Sequence, residues 1–152
     1  LSREQPCRWI EAVKLCVLYP GIEDGEDRSV VVRIEFGKAS FLLAGDIDQR
    51  DERRILTEKN NLHATIVKIP RHGSNTASTE PFVAATRPRV AILSGGRGRA
   101  GTGLEEVLQR YRNVGAEILR TDEDGGIILE TDGQTLSFAG YKSKRRGRIA
   151  LG

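Results

Sequence analysis

The sequence predicts a mixed α/β layered domain. Short runs such as Phe41-Leu42-Leu43-Ala44 and Ile66-Val67 are apolar at consecutive positions, as in strands covered on both faces. Between such runs lie stretches with helical periodicity, clearest at Leu104, Val107, Leu108 and Tyr111. Seventeen glycines in 152 residues argue for many tight turns and against a helical bundle. The length suits one domain. Hydrophobic residues make up 38% and aromatics only 5%, so the core should consist mainly of Val, Ile and Leu. Residues 1–141 are expected to form that domain and residues 142–152 a basic tail.

Val13 to Leu18 reads as the first strand, ended by Tyr19-Pro20-Gly21. The acidic loop that follows (Glu23, Asp24, Glu26, Asp27) lacks calcium-loop spacing and reads as a solvated turn. Ser29 to Phe36 and Ala39 to Ala44 are strands joined by the hairpin signal Gly37-Lys38. Asp48 through Asn60 reads as a charged helix. Asp48, Asp51 and Glu52 open it, where the helix dipole favours anions. Ala64 to Ile69 is a buried strand closed by Pro70, and Thr79-Glu80-Pro81 opens a short helix carrying Phe82 and Val83. The strand Arg89 to Leu93 precedes the amphipathic helix at Leu104, for which Gly115 supplies a C-terminal cap. Glu117 to Arg120, Gly126 to Glu130 and Thr135 to Ala139 are short strands, the last two joined at Asp132-Gly133. About three helices are too few to cover a sheet with so many two-faced strands. One face should stay bare unless another segment packs on it.

The formal net charge is +3, but the positive charges are uneven. Lys142 to Arg148 holds five within seven residues. Such a run attracts phosphate backbones or anionic lipid, and it also suits a solvated, disordered terminus. Cys7 and Cys16, without a CxxC pattern or partner histidines, are expected to be ordinary thiols, with a disulfide as the alternative, and leave the compartment open. No apolar run approaches the ~20 residues that span a bilayer, which predicts a soluble piece. The chain starts without Met and contains none, which fits a piece of a longer protein.

Two residues carry the candidate chemistry. Asp46 follows Gly45 at the end of an apolar strand. Its carboxylate could bridge divalent cations, or it could cap the next helix; spacing alone leaves both open. His72 ends another buried strand, before Gly73-Ser74, and could be a metal ligand or a structural histidine. His63 precedes a strand and reads as a surface residue. Gly96-Arg97-Gly98-Arg99-Ala100-Gly101 spells a dinucleotide fingerprint with Asp122 downstream, but no complete nucleotide-binding half surrounds it. Arg97 and Arg99 would suit phosphates without that geometry.

Taken together, these runs resemble the C-terminal part of the metallo-β-lactamase-type domain of the ComEC family of competence DNA-uptake proteins. The resemblance covers roughly Leu15 to Tyr141. It rests on Phe41-Leu42-Leu43-Ala44-Gly45-Asp46-Ile47, Val67-Lys68-Ile69-Pro70-Arg71-His72-Gly73-Ser74, Arg87 through Ser94, and Tyr111 through Gly125. It implies an αββα sandwich of which this chain supplies the second half. It also implies a place in a membrane protein, with the domain on the extracytoplasmic face of the cytoplasmic membrane, DNA as partner, and metal-dependent phosphodiester hydrolysis with zinc or manganese. Asp46 matches the metal-bridging aspartate and His72 the second histidine of a His-His-Gly-Ser motif. Arg71 replaces the first histidine, Gly101-Thr102-Gly103-Leu104 lacks the late histidines, and the His-x-His-x-Asp-His cluster of the first half is absent from this sequence. The resemblance therefore implies a domain with Asp46 as catalytic residue that is incomplete or impaired as it stands. The alternative is a noncatalytic DNA-binding module using Arg71, Ser74, Arg97, Arg99 and the basic tail.

Overall fold

The computed structural model describes residues 7–19, 29–58, 61–95 and 103–152. Four strands come first: β1 (Cys7–Ile10), β2 (Val13–Tyr19), β3 (Val31–Phe36) and β4 (Ala39–Leu43). Helices and strands then alternate: α1 (Gln49–Thr57), β5 (Ile66–Lys68), a 3-10 turn at Pro70–Gly73, α2 (Glu80–Thr86), β6 (Val90–Leu93), α3 (Leu104–Asn113) and β7 (Glu117–Arg120). A single-turn helix, α4 (Thr121–Asp124), leads to β8 (Ile127–Thr131), β9 (Thr135–Gly140) and β10 (Arg146–Ala150). Among the described residues no helix is long and apolar enough to cross a membrane.

Strands β1 to β7 form one sheet in chain order, antiparallel from β1 to β4 and parallel from β4 to β7. Parallel neighbours need crossover connections, and α1, α2 and α3 supply them. Ile55, Phe82, Val83, Val107, Leu108 and Tyr111 from these helices pack on Leu42, Val67 and Ala91 of the sheet. The second sheet, in the order β10-β9-β8, covers part of the other face. There Leu136, Phe138, Leu129 and Ile149 pack on Ala39, Phe41, Ile66 and Val90. The face expected to be bare is thus half covered, by the chain's own last strands. Toward β1 it differs: Val13, Leu15, Val17, Val32 and Ile34 are half-buried and belong to neither core cluster.

Three expectations need correction. Cys7 and Cys16 are not free thiols but a disulfide. A strand before Val13 escaped the sequence reading, and β1 sets Cys7 directly opposite Cys16 on β2. The basic tail is not a loose terminus, because its second half is β10, paired along its length with β9. Inward Ile149 explains this, as does Gly147, which lies flat against the Phe138 ring where a Cβ would clash. Glu52, in the first turn of α1 as the sequence places it, is fully buried. Its carboxylate accepts from the Ser78 and Thr79 N–H groups at 2.5 and 2.9 Å and from the Thr79 hydroxyl at 2.7 Å. It thereby satisfies the otherwise unpaired N–H groups at the start of α2. Burial pushes the Glu52 carboxyl above the usual range, more than these bonds and nearby Arg110 pull it down. The helix expected to reach Asn60 ends at Thr57. The acidic loop at 23–27, Asn60 and the Gly-rich run with Arg97, Arg99 and Thr102 lie outside the described residues.

Candidate strand-end site

The carboxyl ends of β4, β5 and β6 lie side by side, where open α/β sheets place ligands. After β4 the chain turns at Gly45, whose φ is +55° and whose added Cβ would stand 2.8 Å from the Val30 carbonyl oxygen. Only glycine fits there. The Asp46 N–H donates to Ser29 Oγ at 3.1 Å, and its carboxylate stands at the surface. The N-cap of α1 is Asp48, not Asp46. Asp48 Oδ1 accepts from the N–H groups of Arg50 and Asp51, and Asp51 returns a bond to the Asp48 N–H, completing a capping box. Asp46 is therefore not the cap of α1, since capping is done two residues later. Partial burial pushes the Asp48 carboxyl up. The two N–H bonds and the nearby Arg71 and Arg50 charges outweigh it and hold the group below the usual range.

After β5 the backbone takes an uncommon course. Arg71 and His72 both have left-handed conformations (φ 48° and 51°), followed by Gly73 at +81°. For residues with a Cβ this costs about 1–2 kcal/mol each. The Arg71 N–H donates to the Gly45 carbonyl at 3.0 Å and pins this turn to the neighbouring strand end. The turn swings the imidazole back across the sheet edge, so that His72 Nε2 lies 3.6 Å from Asp46 Oδ1. His72 Nδ1 lies 2.5 Å from the Ser94 carbonyl oxygen, to which it donates in the tautomer that leaves Nε2 bare. Ser94 is steadied in turn, because Thr121 Oγ1 both accepts from the Gly95 N–H and donates to the Gly95 carbonyl, at 3.0 and 3.1 Å.

Lys68 completes the group. Its Nζ donates to the Gly45 carbonyl at 3.2 Å and lies 4.0 Å from Asp46 Oδ1. Burial pulls this ammonium below the usual lysine range, and the Asp46 carboxylate opposes the shift. Arg71 points to the rim, 3.9 Å from Asp48 Oδ2. Ser74 bonds to Thr76 within its own loop, Oγ to Oγ1 at 2.9 Å. His63 is exposed, as expected. Asp46, His72 and Arg71 therefore meet at one site, with Ser74 just beyond. Lys68, Ser94 and Thr121 were missed as site residues. A lysine inside the buried run Ile66-Val67-Lys68-Ile69 was the available signal for the first of these.

Two ligands of a tetrahedral zinc ion, each about 2.1 Å from it, stand roughly 3.4 Å apart. The 3.6 Å between Asp46 Oδ1 and His72 Nε2, with the imidazole fixed from behind, fits such a pair. The described residues contain no group of three or more His, Cys, Asp and Glu able to hold a metal ion.

No family model matches the chain. It is 29% identical over 136 residues to ComE operon protein 3 of Bacillus subtilis (strain 168), a match covering 87% of this chain and 18% of that protein. Competence protein ComA of Neisseria gonorrhoeae is 34% identical over 106 residues, 68% of this chain and 15% of that protein. These relatives support a competence-related family. A further relative, the uncharacterized protein YcaI of Escherichia coli (strain K12), is 32% identical over 114 residues, 74% of this chain and 15% of its own length. The chain therefore spans less than a fifth of each of these curated relatives.

Proposed function

We propose that this chain is a domain of a larger ComEC-like DNA-uptake protein. Its ancestry is that of a metal-dependent phosphodiester hydrolase of the metallo-β-lactamase fold, and its ligand set is incomplete in the chain as it stands. The observation that carries this reading is the convergence of Asp46 Oδ1 and His72 Nε2, 3.6 Å apart at adjacent strand ends. Asp46 and His72 would hold a divalent ion, zinc or manganese. Such an ion, when bound, polarises a phosphodiester and lowers the pKa of water. The chain's own residues do the rest. Ser94 fixes the imidazole tautomer, while Lys68 and Arg71 set positive charge beside the place of a phosphate.

Two features support the larger sandwich. The uncovered half of the seven-stranded sheet presents apolar side chains, and Ile10 and Leu43 on it are exposed. Among the described residues the second sheet ends at β8 with an unpaired edge. Strands from the remainder of a longer chain, added at that edge, would cover the bare surface. The Cys7–Cys16 disulfide supports an oxidising compartment, in keeping with the extracytoplasmic face of the cytoplasmic membrane.

Calorimetric titration with zinc or manganese tests the site. Weak binding is expected, lost in both Asp46→Ala and His72→Ala, with no nuclease turnover by this chain. Binding unchanged in both variants would remove the metal pair, and robust hydrolysis abolished by Asp46→Ala would overturn the claim of inactivity. The alternative, a noncatalytic DNA-binding module, gains from the ordering of the basic tail as β10.

A further inference from the structure

We propose that the outer face of the second sheet is a binding groove for single-stranded DNA, separate from the strand-end site and resting on the DNA-uptake reading above. The groove follows from side-chain alternation. Inward positions of β8, β9 and β10 carry the second core, so the intervening positions face out. The register sets Ile128, Ala139 and Arg146 in one row, and Glu130, Ser137 and Arg148 in the next. Small residues on the middle strand form the floor. The two arginines stand on one side and Ile128 and Glu130 on the other, and the cleft that Arg146 forms with Ile128 and Glu130 encloses about 270 Å³.

The walls differ in charge. Arg146 and Arg148 are exposed, and neither is in an ion pair among the described residues. Arg148 makes only a long 3.4 Å bond to Thr135 Oγ1. Their neighbour Arg145, by contrast, is bound to Glu117 at 2.9 Å. Alternate residues on a strand repeat at about 7 Å, so the two free guanidiniums form a fixed cationic rail instead of a loose tail. Glu130 across the cleft repels phosphate and biases a polyanion toward that rail. At the end of the floor line, after Ser137 and Ala139, stands Tyr141, 75% exposed. Lys144 Nζ lies 4.7 Å from its ring centroid.

A largely exposed aromatic ring near cations outside any ion pair is the combination that binds single strands, with bases stacked on the ring and phosphates on the cations. A duplex keeps its base faces inside the stack and has none to offer Tyr141. The alternation therefore favours a single strand, its backbone along β10 and one base on Tyr141.

The test is fluorescence anisotropy of a short labelled oligothymidine with the chain across a salt series, with circular dichroism melts to check folding. Tyr141→Ala should weaken binding about tenfold and Tyr141→Phe should retain it. The double variant Arg146→Gln/Arg148→Gln should make the slope of log Kobs against log salt shallower by about 1.4, at about 0.7 for each lost single-strand phosphate contact. Asp46→Ala should leave both numbers unchanged. Equal binding by the wild-type and groove variants overturns the proposal, as does a preference for duplex or RNA over single-stranded DNA, or no oligonucleotide binding at all. If binding disappears with Asp46→Ala and survives the groove variants, DNA sits at the strand ends. The groove is then wrong while the DNA-uptake reading stands.

Discussion

Removing the Glu52 carboxylate should cost more stability than any surface change in this chain. Glu52 is fully buried and accepts three hydrogen bonds, two from backbone N–H groups at the start of α2 and one from the Thr79 hydroxyl. In Glu52→Ala the Thr79 hydroxyl can rotate to another acceptor, but the two N–H groups cannot. Each buried donor left unpaired costs about 1–3 kcal/mol, so the loss should be about 4 kcal/mol. That is a large part of the 5–15 kcal/mol typical of a domain. Glu52→Gln keeps one acceptor oxygen but turns an amide donor toward the second N–H, and should lose about half as much. The pH dependence has a definite sign. The folded-state pKa of Glu52 is raised, so its contribution is fully present below the unfolded value near 4.5 and is lost as pH rises through the folded value. Glu52→Gln has no such titration. The stability gap between wild type and this variant should therefore narrow as pH rises above 4.5. Urea unfolding followed by circular dichroism measures all three; the single tryptophan, Trp9, is too exposed to report on the core. An alanine variant within 1 kcal/mol of wild type, on the order of one net hydrogen bond, would show that the carboxylate is not what holds α2 to α1.

Other expectations follow from single contacts. Cys7→Ser/Cys16→Ser, or reduction, should lower stability by about 2.5 kcal/mol, as expected for a crosslink over a sequence separation of 9; a urea midpoint independent of reductant would count against the crosslink. Thr121→Val removes both bonds to Gly95, and zinc or manganese should bind about tenfold more weakly at an unchanged melting temperature. Titration of the variant decides it, and wild-type affinity would cut Thr121 out of the support for His72. Gly45→Ala must hold a positive φ with a Cβ 2.8 Å from the Val30 oxygen, and should lose about 2 kcal/mol or more in the same urea assay.

The parts of this fold that are local in sequence were legible from it. The β3–β4 hairpin was signalled by Gly37-Lys38 between apolar runs, and α3 by its four apolar positions. Gly45-Asp46 and His72 stood out because short apolar strands ended on them. The missed parts depend on partners distant in sequence or on weak turn chemistry. Strand β1 reverses into β2 through Glu11, which takes a positive φ without being glycine or asparagine, so no turn signal marked the hairpin or the cysteine register. Strand β10 hides under its charge, since five cations in seven residues mask the inward Gly147 and Ile149. Glu52 sat where any exposed first-turn acid would sit, and only α2, folding back on α1, makes it a core residue. The partnership of Lys68 with Asp46 needs β4 and β5 side by side, which chain order alone does not supply.

The crosslink between the first two strands makes the outer margin of the large sheet conditional on its surroundings. Strand β1 offers little burial of its own, with Trp9 and Ile10 both facing water, so the ladder to β2 and the sulfur bridge hold it in place. Where thiols are kept reduced, β1 would fray and leave the β2 backbone open to strand exchange with a neighbour. Material folded under reducing conditions would then cluster through a margin that oxidised material keeps closed.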